Sequence, residues 1–270
     1  MRRTVLKKDE CKLKISIITI CYNNENDIRS TIESVINQDY KNIEYIVIDG
    51  KSTDNSVNII QEYKDKISKF VSENDKNLYD AINKGIKLAS GDIVGLIHAG
   101  DRLFDNRVIS KVANHFNTYN IDGLYGHSYI VDENDKPVRI NKSPEFKRSL
   151  FKIGWMPSHQ SIYIKKDIIE KNGYYSLELH PMSDYEFVLR HFYFNDINVK
   201  LLDEFIIKFS MGGISTKNYW HNLRTQKKQL ICWKVNGETP PFYLIPLKLF
   251  RKVKQFTSAY FFNLKQQNAN

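Results

Sequence analysis

"KISIITI", residues 14–20, contains four isoleucines in seven positions and is followed at once by the polar stretch "CYNN". A strand that is apolar on both faces is typical of the interior of a parallel sheet, because helices cover both sides of such a sheet. The segment therefore predicts a central parallel strand, and the rest of the first hundred residues can be tested against that expectation.

Apolar residues at helical spacing alternate with further strand-like runs up to residue 100. Each helix is expected to bury one apolar stripe, formed in the third helix by Leu78, Ala81, Ile82 and Ile86, and Ser52 or Thr53 is expected to cap the second helix. This alternation predicts a doubly wound α/β layer over residues 14–100. The predicted elements are helices at 27–38, 57–63 and 78–90, and strands at 14–20, 43–49, 69–72 and 92–97.

The second half of the chain has a different pattern, which favours a mixed sheet followed by helices. The turn "ENDK" joins two predicted strands, and the paired glycines of "MGGIST" predict a mobile loop. The predicted elements are strands within 122–140, at 160–166 and at 198–210, a helix at 183–194, and helices after residue 216.

Composition indicates a globular protein: the 270 residues are 41% hydrophobic, and none of the apolar runs reaches membrane-spanning length. The charged N-terminus does not resemble a signal peptide, so we expect a cytoplasmic location. Three unevenly spaced cysteines, Cys11, Cys21 and Cys232, predict reduced thiols. The net charge of +9 favours anionic partners such as nucleotides, phospholipid head groups or nucleic acid.

Polar loops follow each of the first four predicted strands. In an open parallel sheet, ligands bind outside the carboxyl ends of the strands, where such loops meet. The pattern favours a nucleotide-type ligand at this edge. The four loops are "TICYNN" (19–24), "DGKSTD" (49–54), "SENDKNLYD" (72–80) and "HAGD" (98–101).

Several blocks of the sequence resemble the family 2 glycosyltransferases, which have the GT-A fold, a Rossmann-like α/β fold for nucleotide-diphospho-sugars. The blocks are "ISIITICYNN", "IEYIVIDGKSTDNS", "SENDKNLYDAINKGIKLASGDIVGLIHAGD" and "SDYEFVLR". They lie in the family's order, and the likeness is greatest to bacterial enzymes that build O-antigen or capsule. The resemblance implies an inverting transfer of a sugar from a nucleotide diphosphate donor to a saccharide or lipid-linked acceptor, usually with a divalent metal.

The resemblance also implies a domain plan. Residues 1–215 would form the GT-A domain, with a nucleotide-sugar half at 14–120 and an acceptor-side half at 121–215, and residues 216–270 a helical basic tail. Asp49 matches the acid that accepts a hydrogen bond from the donor's base, commonly uracil, although it could instead cap the next helix. Asn83 could equally be a solvated helix position. The implied donor-binding residues are Thr19, Tyr22, Asp49, Asp75, Asp80 and Asn83, together with His98 and Gly100 of the loop after the fourth strand.

The family's metal motif is reduced in this chain. Where many relatives have Asp-Ser-Asp-Asp or Asn-Ala-Asp-Asp, this sequence has His98, Ala99, Gly100 and Asp101. Asp101 is the metal candidate, for Mn²⁺ or Mg²⁺, and the motif leaves the need for a metal open. His98 is a second ligand, a phosphate contact or a hydrogen-bonded loop histidine, and Gly100 would let the backbone approach the diphosphate.

An inverting transfer needs a base near the acceptor hydroxyl. Asp184 matches the aspartate of the family's Glu-Asp pair, with Ser183 in place of the glutamate. Glu186 is its rival, but two residues along a helix it would point about 200° away. Asp184 could also be a simple helix N-terminal charge. His159 and Gln160 match a block near the acceptor and the diphosphate.

The tail has no acidic residue after Glu238 but five basic ones. An apolar helix face flanked by basic residues predicts contact with an anionic membrane, or packing on the main domain. A nucleic-acid-binding protein, and a sugar-nucleotide binder without activity, are the alternative functions; the first lacks a known motif, so no nucleic acid is expected. The predicted face consists of Leu249, Phe250, Val253, Phe256 and Tyr260, and the basic residues are Lys248, Arg251, Lys252, Lys254 and Lys265.

Overall fold

The computed structural model describes residues 13–132, 134–210 and 228–250. Nine strands form one sheet within these ranges. The strands are β1 (Ile15–Cys21), β2 (Ile43–Asp49), β3 (Lys69–Ser72), β4 (Ile93–Leu96), β5 (Arg102–Leu103), β6 (Gly123–Val131), β7 (Pro137–Asn141), β8 (Ile162–Lys165) and β9 (Val199–Ser210).

Helices lie between these strands and after them. A π-helical turn, Arg190–Phe194, extends the last of the numbered helices, and residues 228–235 and 244–250 are also helical. Short 3-10 turns occur at Lys64–Lys66 and His159–Ser161. The helices are α1 (Ile28–Ile36), α2 (Ser56–Glu62), α3 (Leu78–Leu88), α4 (Val108–Thr118), α5 (Ser149–Lys152), α6 (Lys166–Asn172) and α7 (Ser183–Leu189).

The sheet order is β3-β2-β1-β4-β8-β6-β9-β5, with β7 paired to β6. Strands β3, β2, β1 and β4 are mutually parallel, whereas β8 is antiparallel to both β4 and β6. The isoleucines of β1 are buried on both faces, as the opening stretch predicts. The α/β fold with a mixed sheet and flanking helices is therefore confirmed.

Two apolar layers cover the sheet. One contains residues of α1, α2 and α4, and the other contains residues of α3, α6, α7 and the segment 228–235. Helix α3 packs closely on β1 because Gly85 faces Ile18, where a Cβ atom would clash with Ile18 Cγ2. The order of layers places helices on both faces and leaves the carboxyl ends of β1–β4 for the site.

Two local expectations are wrong. Helix α2 begins at Ser56 without a side-chain cap, and Ser52 instead donates to Asp49, so neither Ser52 nor Thr53 caps it. Leu78 does not belong to the buried stripe of α3, because 38% of it is exposed.

Other predictions fall partly or wholly outside the described residues. The loop "MGGIST" and the tail beyond residue 250 lie there, as does Cys11. The other two cysteines are buried and free. Across residues 13–132, 134–210 and 228–250, the helices are all too short or too polar to cross a membrane.

Candidate active site

The first three strands end at the same level. Cys21 pairs with Asp49, and Asp49 pairs with Ser72, so the loops after β1, β2 and β3 leave the sheet side by side. Strand β4 continues this edge, because Ala99 N donates to Ile20 O at 3.0 Å. The parallel strands thus bring together the four loops that the sequence selects.

Tyr22 and Asp75 both lie close to Gly50, at the edge where the loops leave the sheet. A Cβ atom at this position would lie 3.2 Å from Asp75 Oδ2 and 3.3 Å from Tyr22 Cδ2, so glycine is the residue that lets the three groups meet. The ring of Tyr22 is 65% exposed and offers a flat apolar surface. Asp75 is held by Lys84 Nζ at 2.7 Å, and burial raises the pKa of this carboxyl above its usual value. Tyr22 and Asp75 are therefore brought together as the sequence suggests.

Asp49 lies beneath this edge rather than on it. Its side chain is fully buried, and the carboxylate accepts hydrogen bonds from Ser52 N, Ser52 Oγ and Ser72 Oγ. Contact between Asp49 and a donor base therefore stays a prediction. In this structure Asp49 fixes two loops whose seryl groups are partly or fully exposed.

Three other donor-site candidates make hydrogen bonds or ion pairs within the protein. Thr19 is fully buried and accepts a hydrogen bond from Tyr45 Oη at 3.0 Å, so its side chain does not reach the pocket. Asn83 is buried and clamps the backbone of Tyr175 through both amide atoms. Asp80 accepts from Lys76 N and lies 3.8 Å from Lys84 Nζ. The assignment of these three residues to the donor site stays a prediction.

The loop after β4 is organised by Gln160. Its side chain accepts from His98 N and donates to Asp101 Oδ2, both at 2.8 Å. Ser210 completes the arrangement, because its N–H donates to Asp101 Oδ1 and its hydroxyl to Gly100 O. Gly100 has φ +98°, a conformation that favours glycine. Gln160 is itself buried, and its position near the acceptor and the diphosphate stays a prediction.

Asp101 is the candidate metal ligand that the sequence selects. Burial raises the pKa of its carboxyl to about 6, and donors from Gln160 and Ser210 lower it in part. Within residues 13–132, 134–210 and 228–250, clusters of three or more His, Cys, Asp or Glu suited to a metal are absent. A buried carboxylate next to a positive-φ glycine still fits a cation that takes its remaining ligands from a bound diphosphate.

His98 is not arranged as a second ligand. Its Nε2 atom lies 2.9 Å from Nε2 of His159, so the two imidazoles share a hydrogen bond. On its other side, His159 Nδ1 lies 3.8 Å from Asp184 Oδ2. His159 and Gln160 are adjacent, and this one turn therefore contacts both Asp101 and Asp184.

The structure separates Asp184 from its rival. Asp184 is the second residue of α7. Its side chain is 27% exposed, and its Oδ1 accepts a hydrogen bond from Tyr185 N at 2.7 Å. Glu186 is buried and paired with Arg190 at 2.7 Å, and it also accepts from Asn236. Only one of the two carboxylates faces open space, as the helical geometry predicts.

The sequence model of Glycosyl transferase family 2 matches residues 16–196, which is well over half of the chain. This chain is a family 2 glycosyltransferase. An uncharacterised glycosyltransferase of Methanocaldococcus jannaschii is 28% identical over 79% of this chain and 75% of its own length. One from Mycobacterium tuberculosis is 31% identical over 65% of this chain and 68% of its own.

Solved structures with the same fold extend the comparison. Staphylococcus aureus TarS 1–349, in complex with UDP-GlcNAc, superposes with a TM-score of 0.65 at 18% identity, over 82% of this chain and 66% of that one. The mannosyltransferase PcManGT of Pyrobaculum calidifontis, in complex with GDP-Man and Mn²⁺, gives 0.59 at 13% identity, over 92% and 74%. These similarities confirm the GT-A fold of this family 2 glycosyltransferase.

Sequence reasoning missed several residues of the glycosyltransferase site. The role of Gly50 could not be recognised from the sequence, because a glycine after an aspartate also fits an ordinary turn. Lys84 lies in α3, nine residues after the Asp75 that it pairs with, and Ser210 comes from β9 in the other half of the chain. Only the tertiary structure brings β9 to the loop after β4, so the sequence carries no local signal for Ser210.

Proposed function

We propose that this glycosyltransferase moves a sugar from a nucleotide diphosphate donor to a hydroxyl group with inversion at the anomeric carbon. The observation that carries the proposal is the turn His159–Ser161, which contacts the Asp101 loop on one side and Asp184 on the other. A carboxylate suited to the leaving diphosphate and a carboxylate suited to accept a proton thus contact the same turn.

Asp184 is the proposed general base. It would accept the proton of the acceptor hydroxyl while that oxygen bonds to the anomeric carbon. The bond from that carbon to the diphosphate oxygen breaks, and its electron pair leaves with the nucleoside diphosphate. Tyr185 N–H and the hydroxyl of Tyr79 both lie against Oδ1, whereas His159 lies near Oδ2. A lone pair of Oδ2 thus remains to accept the proton. Glu186 is unsuited to this role because Arg190 binds it in the interior.

The donor nucleotide is proposed to bind at the edge formed by Tyr22, Gly50 and Asp75. The exposed ring of Tyr22 suits stacking against a base, and Asp75 suits a base N–H or a ribose hydroxyl. TarS is similar in fold and has been solved with UDP and UDP-GlcNAc, which supports UDP as the nucleotide. The N-terminal half, residues 14–120, would then be the donor half, and residues 121–215 the acceptor half.

A divalent cation is proposed to accompany the donor. Asp101 would hold Mn²⁺ or Mg²⁺, which would neutralise charge on the leaving diphosphate. The complex of PcManGT with Mn²⁺ supports this assignment. Treatment with EDTA should remove activity, and Mn²⁺ or Mg²⁺ should restore it. An EDTA-treated protein with full activity would refute the assignment.

The acceptor is proposed to be a growing cell-surface polysaccharide of the O-antigen or capsule type, carried on a lipid. Large apolar side chains are exposed in the last described segments, and acidic residues are absent from the sequence after Glu238. This composition suits an anionic membrane surface on the cytoplasmic side. The exposed side chains are Ile231, Val235, Phe242, Leu247 and Phe250.

Two experiments test these proposals separately. Purified full-length protein, incubated with a panel of nucleotide sugars and Mn²⁺, should hydrolyse or transfer from one donor class, with UDP-sugars preferred. Sedimentation with phosphatidylglycerol vesicles should exceed sedimentation with phosphatidylcholine vesicles, and Phe242→Ser with Phe250→Ser should reduce it. Donor binding without turnover on any acceptor would contradict the transferase proposal, and equal sedimentation with both vesicles would contradict the membrane proposal.

A further inference from the structure

Two imidazoles lie beside the turn that contacts both carboxylates. The rings of His98 and His159 are tilted by 42° with centroids 5.1 Å apart, and their Nε2 atoms are 2.9 Å apart. Two N–H groups cannot face each other at this distance, and neither can two bare nitrogens form a hydrogen bond. One Nε2 therefore carries a proton and the other accepts it.

The surroundings of His98 indicate which ring donates. Its Nδ1 atom is buried and has no hydrogen-bond partner among the residues that the structure describes. An unpaired buried N–H is rarer than an unpaired acceptor. The bare nitrogen of His98 is therefore Nδ1, and its proton is on Nε2. His159 Nε2 must then accept, which puts the proton of His159 on Nδ1, the atom 3.8 Å from Asp184 Oδ2.

We propose that His98 holds His159 in the Nδ1–H tautomer, so that His159 donates a hydrogen bond to Asp184 and positions it as the base. This inference rests on the proposed function, in which Asp184 accepts the acceptor's proton. A separation of 3.8 Å is long for a hydrogen bond. Hydrogen bonds in ligand-free sites often tighten only when the substrates bind.

The groups around Asp184 leave this role to His159. Tyr79 from α3 lies 3.5 Å from Oδ1, and Tyr175 and Cys232 face the carboxylate from the preceding loop and the segment 228–235. Burial raises the pKa of all three groups, that of Cys232 to about 12, so they stay uncharged between pH 5 and 9. Among the described groups that face Asp184, His159 differs in one respect: its tautomer is set by a second side chain, that of His98.

His98 is the unusual residue of the reduced metal motif, and this pairing gives it a role other than metal binding. A glutamine amide nitrogen can lie where Nε2 of a histidine lies, and an asparagine amide nitrogen where Nδ1 lies. His98→Gln and His159→Asn therefore keep the relevant N–H, whereas His98→Leu and His159→Leu remove it. These pairs separate loss of the hydrogen bond from loss of packing.

The direct test is ¹⁵N NMR of the imidazole nitrogens in the intact, ligand-free protein at pH 7.5, which needs no activity. We expect His159 to be protonated at Nδ1 and bare at Nε2, with the opposite pattern for His98. In His98→Leu, the Nε2–H tautomer of His159 should become populated. His159 found as Nε2–H, doubly protonated, or unchanged in His98→Leu would overturn the proposal.

Turnover provides the second readout. In His98→Leu and His159→Leu, kcat should fall about tenfold, because Asp184 loses the donor that positions it. His98→Gln and His159→Asn should restore most of the lost kcat. Donor Kd should stay within twofold in all four variants. A lower kcat that His98→Gln and His159→Asn fail to restore would mean a packing role and would overturn the proposal.

The two readouts separate this inference from the proposed function. If transfer is absent with every donor and acceptor tested, while the NMR pattern is as expected, the function is wrong and the tautomer assignment stands. If transfer occurs and depends on Asp184 while His159 is the Nε2–H tautomer, the function stands and the inference fails.

Discussion

Replacing Gln160 with leucine should lower activity far more than the loss of folding stability alone would explain. The change leaves His98 N–H unpaired, at about 1–3 kcal/mol, and removes a bond to the charged Asp101, at about 1.5–3 kcal/mol. The free energy of unfolding should therefore fall by about 3 kcal/mol. For a chain of this size, that loss lowers Tm by about 6–10 °C.

Gln38 is a matched control for this change. It is as buried as Gln160, and its amide bonds Ser34 O, Asp105 O and Ile109 N at 3.0, 2.6 and 3.0 Å, away from the site. Gln38→Leu should lose comparable stability and keep its kcat.

The assay is turnover of each variant at a temperature where urea titration shows both to be folded. Gln160→Leu should lose about 10–100-fold in kcat or in Mn²⁺ affinity, as is usual when the residue that orients a metal-binding carboxylate is removed. Equal kcat and Mn²⁺ affinity in the two variants would refute the claim that Gln160 positions Asp101.

Three further outcomes follow from the contacts. Glu186→Gln should lower the free energy of unfolding by about 2 kcal/mol, through the weakened pair with Arg190, and leave kcat within twofold in the same urea and turnover assays. The pKa of Asp101 is raised to about 6, so this carboxyl stabilises the fold at acid pH and the contribution is lost as pH rises through 6. In urea titrations, the free energy of unfolding of Asp101→Asn should gain up to about 3 kcal/mol over that of the parent between pH 4 and pH 8. A difference that stays constant with pH would contradict the raised pKa. Gly50→Val should weaken donor binding at least about tenfold by calorimetry while Tm changes little, because the ring of Tyr22 can move into solvent.

The sequence predicted the parallel half of the fold well because its strands are local and strongly apolar. The run 43–49 and the run 69–72 coincide with β2 and β3 as the structure has them. Helix α4 and the two-residue strand β5 escaped notice. A two-residue strand has too few positions to show a period, and its pairing with β9 is set by tertiary structure.

The sequence indicates which loops meet, but it does not show which way their side chains point. The four strand-end loops do meet, and Asp184 is partly exposed while Glu186 is buried. The burial of Thr19 and Asn83 could not be read from the sequence, because a polar residue can serve the core as well as a ligand, and their partners Tyr45 and Tyr175 are known only from the structure. Such partners lie too far along the chain for spacing to identify them.

The most direct test of the account is single-turnover transfer by Asp184→Asn. Asparagine keeps the size of the side chain and the hydrogen bond from Tyr185 N, but it cannot take up the acceptor's proton. Turnover should fall by about 10²–10⁴ while donor Kd, measured by calorimetry, stays unchanged. Parental turnover in Asp184→Asn, or loss of donor binding instead of turnover, would contradict the assignment of Asp184 as the base.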